Sequence, residues 1–203
     1  MAGDAMNGFP RVAAALLLTL AACSPDPPAA APAQPPLAGA RIGGPFTLTD
    51  QNGRSVSDRD FAGKYRIVYF GYTFCPDVCP VDVQNIGAAL RLLEKSDPAL
   101  AARVVPIFIT VDPARDTPAV LKQFVSAFHP RMVGLTGSPQ AIDAVAKEYA
   151  IFHQVGDKQP GGGYLVNHSR QAYLMGPEGE PLALLPQEGP LQAIAAEIRK
   201  WVK

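Results

Sequence analysis

Polar and apolar positions alternate along residues 46–57, on either side of an Asn52-Gly53 pair. Alternation around an Asn-Gly pair predicts a β-hairpin. Residues 65–70 and 103–111 form two short apolar runs that are rich in β-branched and aromatic side chains. Runs of this kind predict buried strands near the centre of a sheet.

Four other segments carry apolar residues at three- and four-residue intervals, which predicts amphipathic helices. The first helix should begin near Pro80 or Val81. Thr117-Pro118 and Ser138-Pro139 each supply an N-cap residue followed by a first-turn proline, and the last helix should begin at Pro190.

Shorter patterns complete the prediction for the carboxyl-terminal half. Residues 132–135 and 151–155 favour strands, residues 156–163 form a glycine-rich loop, and residues 166–175 should pair with 181–185 in a hairpin. Strands and helices therefore alternate along most of the chain. This order predicts an α/β fold in which a central mixed sheet is flanked by helices.

The amino terminus has the pattern of an exported protein. The apolar run of residues 12–22 follows Arg11 and is too short to span a bilayer, so residues 1–22 are predicted to be a signal peptide. Ala21-Ala22-Cys23 resembles the bacterial lipobox, which predicts lipidation of Cys23 and attachment to a membrane.

Residues 24–40 contain six prolines and six alanines, a composition that favours an extended polyproline II spacer. Residues 23–40 are thus predicted to be a tether, and residues 41–203 a single folded domain. With 18 basic and 18 acidic side chains in 203 residues, the charge provides no basis for a nucleic-acid-binding surface.

Once Cys23 is set aside, Cys75 and Cys79 remain as one pair between an apolar strand and a helix start. A helix amino terminus favours thiolate, which is both the attacking species in disulfide exchange and a metal ligand. A spacing of four residues allows a disulfide or a shared metal ion. Structural, redox and metal-binding roles all remain open from this spacing.

Two thiolates suit Cu(I), which accepts two or three soft ligands, whereas structural zinc requires four. A third ligand could come from His129, His153 or His168. His129 is interpreted as a capping or solvated residue at a helix end, and His153 as structural. His168 follows the glycine-rich loop at the start of a strand, where it could turn toward the cysteines, and its spacing alone leaves its role as a ligand open.

Residues 71–80, 111–118, 134–137 and 166–169 together resemble the Sco/SenC family, in consistent order between about residues 43 and 186. The resemblance implies a thioredoxin-like fold with an amino-terminal β-hairpin extension. It also implies a membrane-tethered copper protein of the bacterial cell envelope that faces the periplasm. Such a protein helps to assemble the binuclear copper centre of cytochrome c oxidase.

Carried over by position, the family's copper ligands are Cys75, Cys79 and His168, for Cu(I) and with Cu(II) left open. The implied partners are a copper donor protein and the copper-receiving subunit of cytochrome c oxidase. Asn167 stands where the family usually has aspartate. Asp112 and Asp116 match an acidic pair of the family, and we interpret both as structural.

Two alternatives use the same cysteines. In one, the protein is a thiol-disulfide oxidoreductase that reduces partner cysteines through Cys75 and Cys79 without needing His168. In the other, it is a redox or copper sensor that docks a partner according to its disulfide state. The glycine-rich loop of residues 156–163 is also predicted to be mobile and to become ordered when metal binds.

Overall fold

A seven-stranded mixed sheet runs through residues 34–203, the part of the chain that the computed structural model describes. Its strands are β1 (Thr47–Asp50), β2 (Ser55–Ser57), β3 (Tyr65–Gly71), β4 (Val104–Thr110), β5 (Val133–Thr136), β8 (Ala172–Met175) and β9 (Pro181–Leu185), while β6 (His153–Lys158) and β7 (Tyr164–His168) form a second, smaller sheet. The strand order in the large sheet is β2-β1-β5-β4-β3-β8-β9. Strands β3, β4 and β5 are parallel, and the remaining pairs are antiparallel.

The two central strands are the apolar runs identified in the sequence. Every residue of β3 is buried, and β4 is almost completely buried beside it. Their pairing extends from Tyr65 opposite Val104 to Gly71 opposite Thr110. The hairpin predicted around Asn52-Gly53 is also present, and β1 joins it to the sheet through β5.

Five α-helices accompany the strands within residues 34–203: α1 (Val78–Ser96), α2 (Pro98–Ala101), α3 (Pro118–Phe128), α4 (Pro139–Glu148) and α5 (Leu191–Trp201). The Thr117 and Ser138 side chains cap α3 and α4 as predicted, by accepting from the N–H groups of Val120 and Ala141. Helix α1 begins at Val78, slightly before the predicted start, so its first turn contains Cys79.

The carboxyl-terminal half differs from the prediction in two places. Residues 166–175 are not one strand, because β7 (Tyr164–His168) pairs with β6 (His153–Lys158) in a separate two-stranded sheet, whereas β8 pairs with β9. The N–H group of Ser169 donates to the carbonyl oxygen of Phe152 and closes the β6–β7 ribbon, after which the chain passes to the main sheet. The glycine-rich loop is also shorter than predicted, because β6 continues to Lys158.

The predicted signal peptide and Cys23 lie outside the described residues. Within the described chain, residues 34–40 already contact the domain, since the N–H group of Leu37 donates to the carbonyl oxygen of Leu182 at 3.0 Å. Ordered contacts thus begin before Arg41. None of the helices in residues 34–203 has the length and apolar character needed to cross a bilayer.

Candidate metal centre

The two cysteines lie where the central strand β3 passes into helix α1. Cys75 is in the connecting loop and is partly exposed, whereas Cys79 is in the first turn of α1 and is fully buried. Both are free thiols in this structure. The segment therefore presents one accessible sulfur and one sulfur inside the core.

The surroundings of Cys75 favour its thiolate. Burial by itself disfavours the charged form, but the backbone N–H groups of Cys79, Asp77 and Val78 and the thiol of Cys79 outweigh it, so the pKa of Cys75 is lowered. These N–H groups belong to the start of α1, where unpaired donors stabilise a negative charge. Cys75 is thus the more readily ionised thiol of the pair.

Cys79 has the opposite tendency. Burial strongly raises the pKa of its thiol and outweighs the hydrogen bonds from the Tyr72 backbone and the Tyr69 hydroxyl, which lower it, while the neighbouring Cys75 sulfur raises it further. The sulfur packs closely against β3, since a side chain added at Gly71 would lie 3.2 Å from Cys79 Sγ. Cys79 therefore remains protonated at neutral pH unless a cation replaces its proton.

His168, at the end of β7, meets the buried cysteine. Its Nε2 atom lies 3.1 Å from Cys79 Sγ, and its Nδ1 atom lies 2.7 Å from the carbonyl oxygen of Ser169. A carbonyl oxygen only accepts, so Nδ1 carries the proton of the neutral ring and the Nε2 lone pair faces the sulfur. This is the tautomer that a metal-binding imidazole needs.

Burial also keeps this imidazole neutral, because it lowers the pKa of His168 and outweighs the hydrogen bond to Ser169 and the charge of Asp82. The ring of Tyr72 packs edge-on against the ring of His168, with centroids 5.8 Å apart. A neutral, sterically held imidazole is ready to ligate without first losing a proton.

Sequence reasoning placed Cys75, Cys79 and His168 in one site, and the structure brings Cys79 and His168 into contact, with Cys75 in the adjoining loop. Among residues 34–203, no three His, Cys, Asp or Glu side chains are arranged to hold a metal ion as they stand. Joint ligation by all three side chains would thus require a rearrangement within this site.

Asp116 forms hydrogen bonds that hold the Cys75 loop against the central sheet. This fully buried carboxylate accepts from the N–H and hydroxyl groups of Thr73, at 3.0 and 2.6 Å, and from the Thr110 hydroxyl at 2.6 Å. Thr73 lies two residues before Cys75, while Thr110 ends β4. The carboxylate thus connects the cysteine loop to the neighbouring central strand.

Asp112 makes similar contacts with the β6–β7 ribbon, which carries His168. It accepts from the hydroxyl of Tyr164 at 2.8 Å and pairs with Arg115, whose guanidinium lies 3.7 Å from the Tyr164 ring centroid and 5.0 Å from that of Phe74. Residues from the cysteine loop and from β7 therefore share Arg115. Both family-matched aspartates make structural contacts, in line with our interpretation.

The other two histidines face carboxylates. His129 forms the C-cap of α3, as the sequence indicates, but it is buried rather than solvated, with Nε2 3.3 Å from Glu94. His153 lies opposite His168 in the β6–β7 ribbon, and its Nε2 atom is 3.2 Å from Asp143. Asn167 is exposed and pairs across the ribbon with Gln154.

One neighbour of the site was missed by sequence reasoning. Asp82 is fully buried on the inner face of α1 and forms an ion pair with Arg170, two residues beyond His168. The available signal was the helical spacing, because an acidic residue three positions after Cys79 falls on the face that also carries Val83 and Ile86.

Comparison with known proteins gives consistent matches over this region. The sequence profile of the SCO1/SenC family matches residues 34–203. Protein SenC of Rhodobacter capsulatus is 48% identical over 142 residues, covering 70% of this chain and 62% of the relative. The chain spans between 40% and 62% of the length of the curated relatives compared.

Solved structures of proteins from the same family also match this chain. Arabidopsis thaliana ScoI with copper bound is 36% identical with a TM-score of 0.72, and Bradyrhizobium japonicum ScoI with copper bound is 39% identical with a TM-score of 0.71. Each match covers 79% of this chain and 99% of the other. The thioredoxin domain of a Bacteroides vulgatus thiol-disulfide oxidoreductase, 19% identical with a TM-score of 0.55, shares the fold. The expected thioredoxin-like fold is confirmed.

Proposed function

The chain belongs to the SCO1/SenC family, and we propose that it is a membrane-tethered copper metallochaperone that binds copper through Cys75, Cys79 and His168. The observation that carries this proposal is the 3.1 Å approach of His168 Nε2 to Cys79 Sγ, with the Nε2 lone pair facing the sulfur. Two relatives were solved with copper bound, which supports the choice of metal.

The donor set suits Cu(I) because two thiolates and one imidazole provide soft, three-coordinate ligation. Cys75 is readily ionised and reachable from solvent, so it is suited to meet the incoming ion first. Binding at Cys79 then displaces the thiol proton, which links copper uptake to proton release. The Cys75 loop contributes the small movement that closes the site.

Oxidation state would regulate this site. A disulfide between Cys75 and Cys79 removes both sulfur ligands, and forming it releases two electrons and two protons to an oxidant such as a partner disulfide. Only the reduced protein should therefore retain copper. Lipidation at Cys23 and the part of the predicted tether that precedes the domain contacts would hold the domain at the periplasmic face of a membrane.

This location suits transfer between two membrane-associated partners. We propose that copper arrives from a donor protein and passes to the copper-receiving subunit of cytochrome c oxidase during assembly of its binuclear copper centre. The tether raises the effective concentration of the domain near partners that share its membrane.

The test is titration of the reduced, purified chain with Cu(I) against a chromogenic Cu(I) chelator. We expect one copper per chain, near-complete loss of competitive binding in Cys75→Ser and Cys79→Ser, and weaker binding in His168→Ala. Two matched controls, Cys23→Ser and His153→Ala, should bind as wild type does. Equal copper uptake by wild type and Cys75→Ser would reject the site.

A second candidate is a thiol-disulfide oxidoreductase, and the opposite pKa shifts of the two cysteines favour it. An ionised, accessible Cys75 can attack a partner disulfide, after which Cys79 resolves the mixed disulfide. The discriminating variant is His168→Ala. If it reduces a model disulfide normally but no longer supports oxidase assembly, metal handling is the function; if assembly persists, the thiols are sufficient.

A sensor would need no turnover and would dock a partner in only one redox state. Pull-downs with the reduced and the oxidised chain test this alternative. Recovery of the same partner in both states would exclude it.

A further inference from the structure

We propose that Arg170 and Asp82 act as a clasp that positions His168 against Cys79. This inference rests on the proposed copper site, because Arg170 and Asp82 would position one of its ligands. The ion pair joins the two segments that carry these ligands, since Asp82 follows Cys79 by three residues and Arg170 follows His168 by two. It is thus placed to set the distance between the imidazole and the buried sulfur.

The carboxylate end of the clasp is completely enclosed. Asp82 is 0% exposed, and its Oδ1 atom accepts from an Arg170 terminal nitrogen at 2.9 Å while its Oδ2 atom accepts from Arg170 Nε at 3.2 Å. The hydroxyl of Tyr69 donates to Oδ2 at 2.8 Å. A two-point guanidinium–carboxylate contact fixes orientation as well as distance.

The main chain of Arg170 is also held in place by hydrogen bonds. The Gln187 side chain donates to the carbonyl oxygen of Arg170 at 2.6 Å, and Asn85 of α1 donates to the carbonyl oxygen of Gln187 at 2.9 Å. Glu188 contacts the guanidinium from the outside at 3.1 Å. The segment after His168 is therefore fastened to α1 through both side chain and main chain.

His168 needs such external positioning because the sheet supports it on one side only. It is the last residue of β7, and strand pairing resumes only at Ala172 in the main sheet. Residues 169–171 connect the two sheets directly after the imidazole. The clasp lies in the middle of that connection.

The pair also balances charge inside the domain. Asp82 is completely buried, and the Arg170 guanidinium neutralises its carboxylate. Removal of the arginine leaves an uncompensated buried charge, which favours a rearrangement of this segment. We therefore expect the geometry of the His168–Cys79 contact to depend on Arg170.

The test compares four variants with wild type. Arg170→Met removes the clasp, and Arg170→Lys keeps the charge but not the two-point contact. Glu188→Gln removes only the outer contact of the same guanidinium. Arg131→Met is the matched stability control, because Arg131 pairs with Glu94 near the other end of α1 at 2.8 Å.

The first readout uses the reduced protein without metal. Nuclear Overhauser contacts from the His168 ring to Tyr72 and to the Cys79 β-protons should be present in wild type, Glu188→Gln and Arg131→Met. They should be lost in Arg170→Met and weakened in Arg170→Lys. Retention of all these contacts in Arg170→Met would overturn the proposal, and Arg170→Lys decides the matter should Arg170→Met not fold.

The second readout is Cu(I) affinity. Loss of a residue that orients a ligand typically costs about 10- to 100-fold in metal affinity, and we expect that range for Arg170→Met. The loss should largely disappear when measured in a His168→Ala background, because the positioned group is then absent. Full additivity with His168→Ala would refute positioning. Failure of wild type to bind Cu(I) would instead reject the proposed function, and the first readout would still test the clasp.

Discussion

The Nε2 atom of His168 lies 3.1 Å from the Sγ atom of Cys79, although the two residues are 89 positions apart in the chain. The cysteine comes from the first turn of α1, and the histidine comes from the end of a two-stranded ribbon outside the main sheet. A half-buried neutral imidazole therefore faces a buried thiol. Two of the three ligands of the proposed copper site are thus already in contact without metal.

Gly71 provides the space that this contact requires. A methyl group at Gly71 would lie 3.0 Å from ring atoms of Phe108 and Tyr69 and 3.2 Å from Cys79 Sγ. We expect Gly71→Ala to lower the free energy of unfolding by about 1–3 kcal/mol, the usual cost of overpacking, and to weaken Cu(I) binding by moving the sulfur. Urea unfolding and chelator competition measure the two effects.

The control for this substitution is Gly163→Ala. No heavy atom lies within 4 Å of a methyl group at Gly163. Its stability and Cu(I) affinity should match those of wild type. If Gly71→Ala behaves like this control, the close packing around Cys79 has no effect on the site.

The two cysteines should differ in reactivity. Cys75 is partly exposed with a lowered pKa, whereas Cys79 is buried with a raised pKa. Since the thiolate is the reacting species, iodoacetamide should modify Cys75 much faster than Cys79 near neutral pH. Peptide mass spectrometry of the reduced, metal-free chain separates the two rates. Faster modification of Cys79 would contradict the assigned surroundings of the two thiols.

Asp116 should be essential for the stability of the cysteine loop. Asp116→Ala leaves the buried donors of Thr73 and Thr110 without their acceptor, at a cost of about 1–3 kcal/mol for an unsatisfied buried group. Asp116→Asn keeps an oxygen acceptor and should lose less stability. Denaturant unfolding of both variants checks this order, and equal losses would show that the hydrogen bonds are not the cause.

His129 should make stability depend on pH in the mildly acidic range. Burial lowers the pKa of His129 from its ordinary 6.5 and outweighs the attraction of Glu94. Below about pH 6.5 the unfolded chain then binds a proton that the folded chain does not, so stability falls as pH falls, by at most about 1.4 kcal/mol per pH unit.

The variant that tests this is His129→Gln. His168 has a lowered pKa as well and acts in the same direction, so the variant should flatten the slope between pH 6.5 and pH 5 without abolishing it. The lowered pKa of Glu94 acts at more acidic pH and does not interfere. An unchanged slope would mean that His129 does not contribute.

Local sequence signals accounted for most of the fold. The apolar runs became β3 and β4, and the Thr117-Pro118 and Ser138-Pro139 signals marked the starts of α3 and α4. Burial and capping of neighbouring residues determine where these elements form. A pattern within about ten residues is therefore sufficient to predict them.

Pairing between distant segments was harder to predict. The run from Val166 to Met175 contains no glycine or proline to mark a break, and the sequence alone does not show that it divides between two sheets after His168. The Asp82–Arg170 pair is hidden for the same reason, because it joins residues that are 88 positions apart. The local pattern shows where each charge lies in the chain but not which partner it will meet.

The last prediction concerns the β6–β7 ribbon. It is a separate two-stranded sheet, and such ribbons are marginally stable by themselves, so its attachment to the domain controls its opening. Tyr164 and Arg115 attach it on one side, and ligation of a metal by His168 would strengthen the existing contact with Cys79 on the other. Cu(I) should therefore slow amide hydrogen exchange along residues 153–168 of the reduced protein.

The comparison that isolates this effect uses His168→Ala and the central strands. In wild type, copper should increase protection in the ribbon while β3 and β4, already held in the core, change little. In His168→Ala, copper held by the two sulfurs should leave exchange in the ribbon unchanged, because the connection between metal and ribbon is missing. Equal protection of the wild-type ribbon with and without copper would indicate that the site is fully formed before the metal binds.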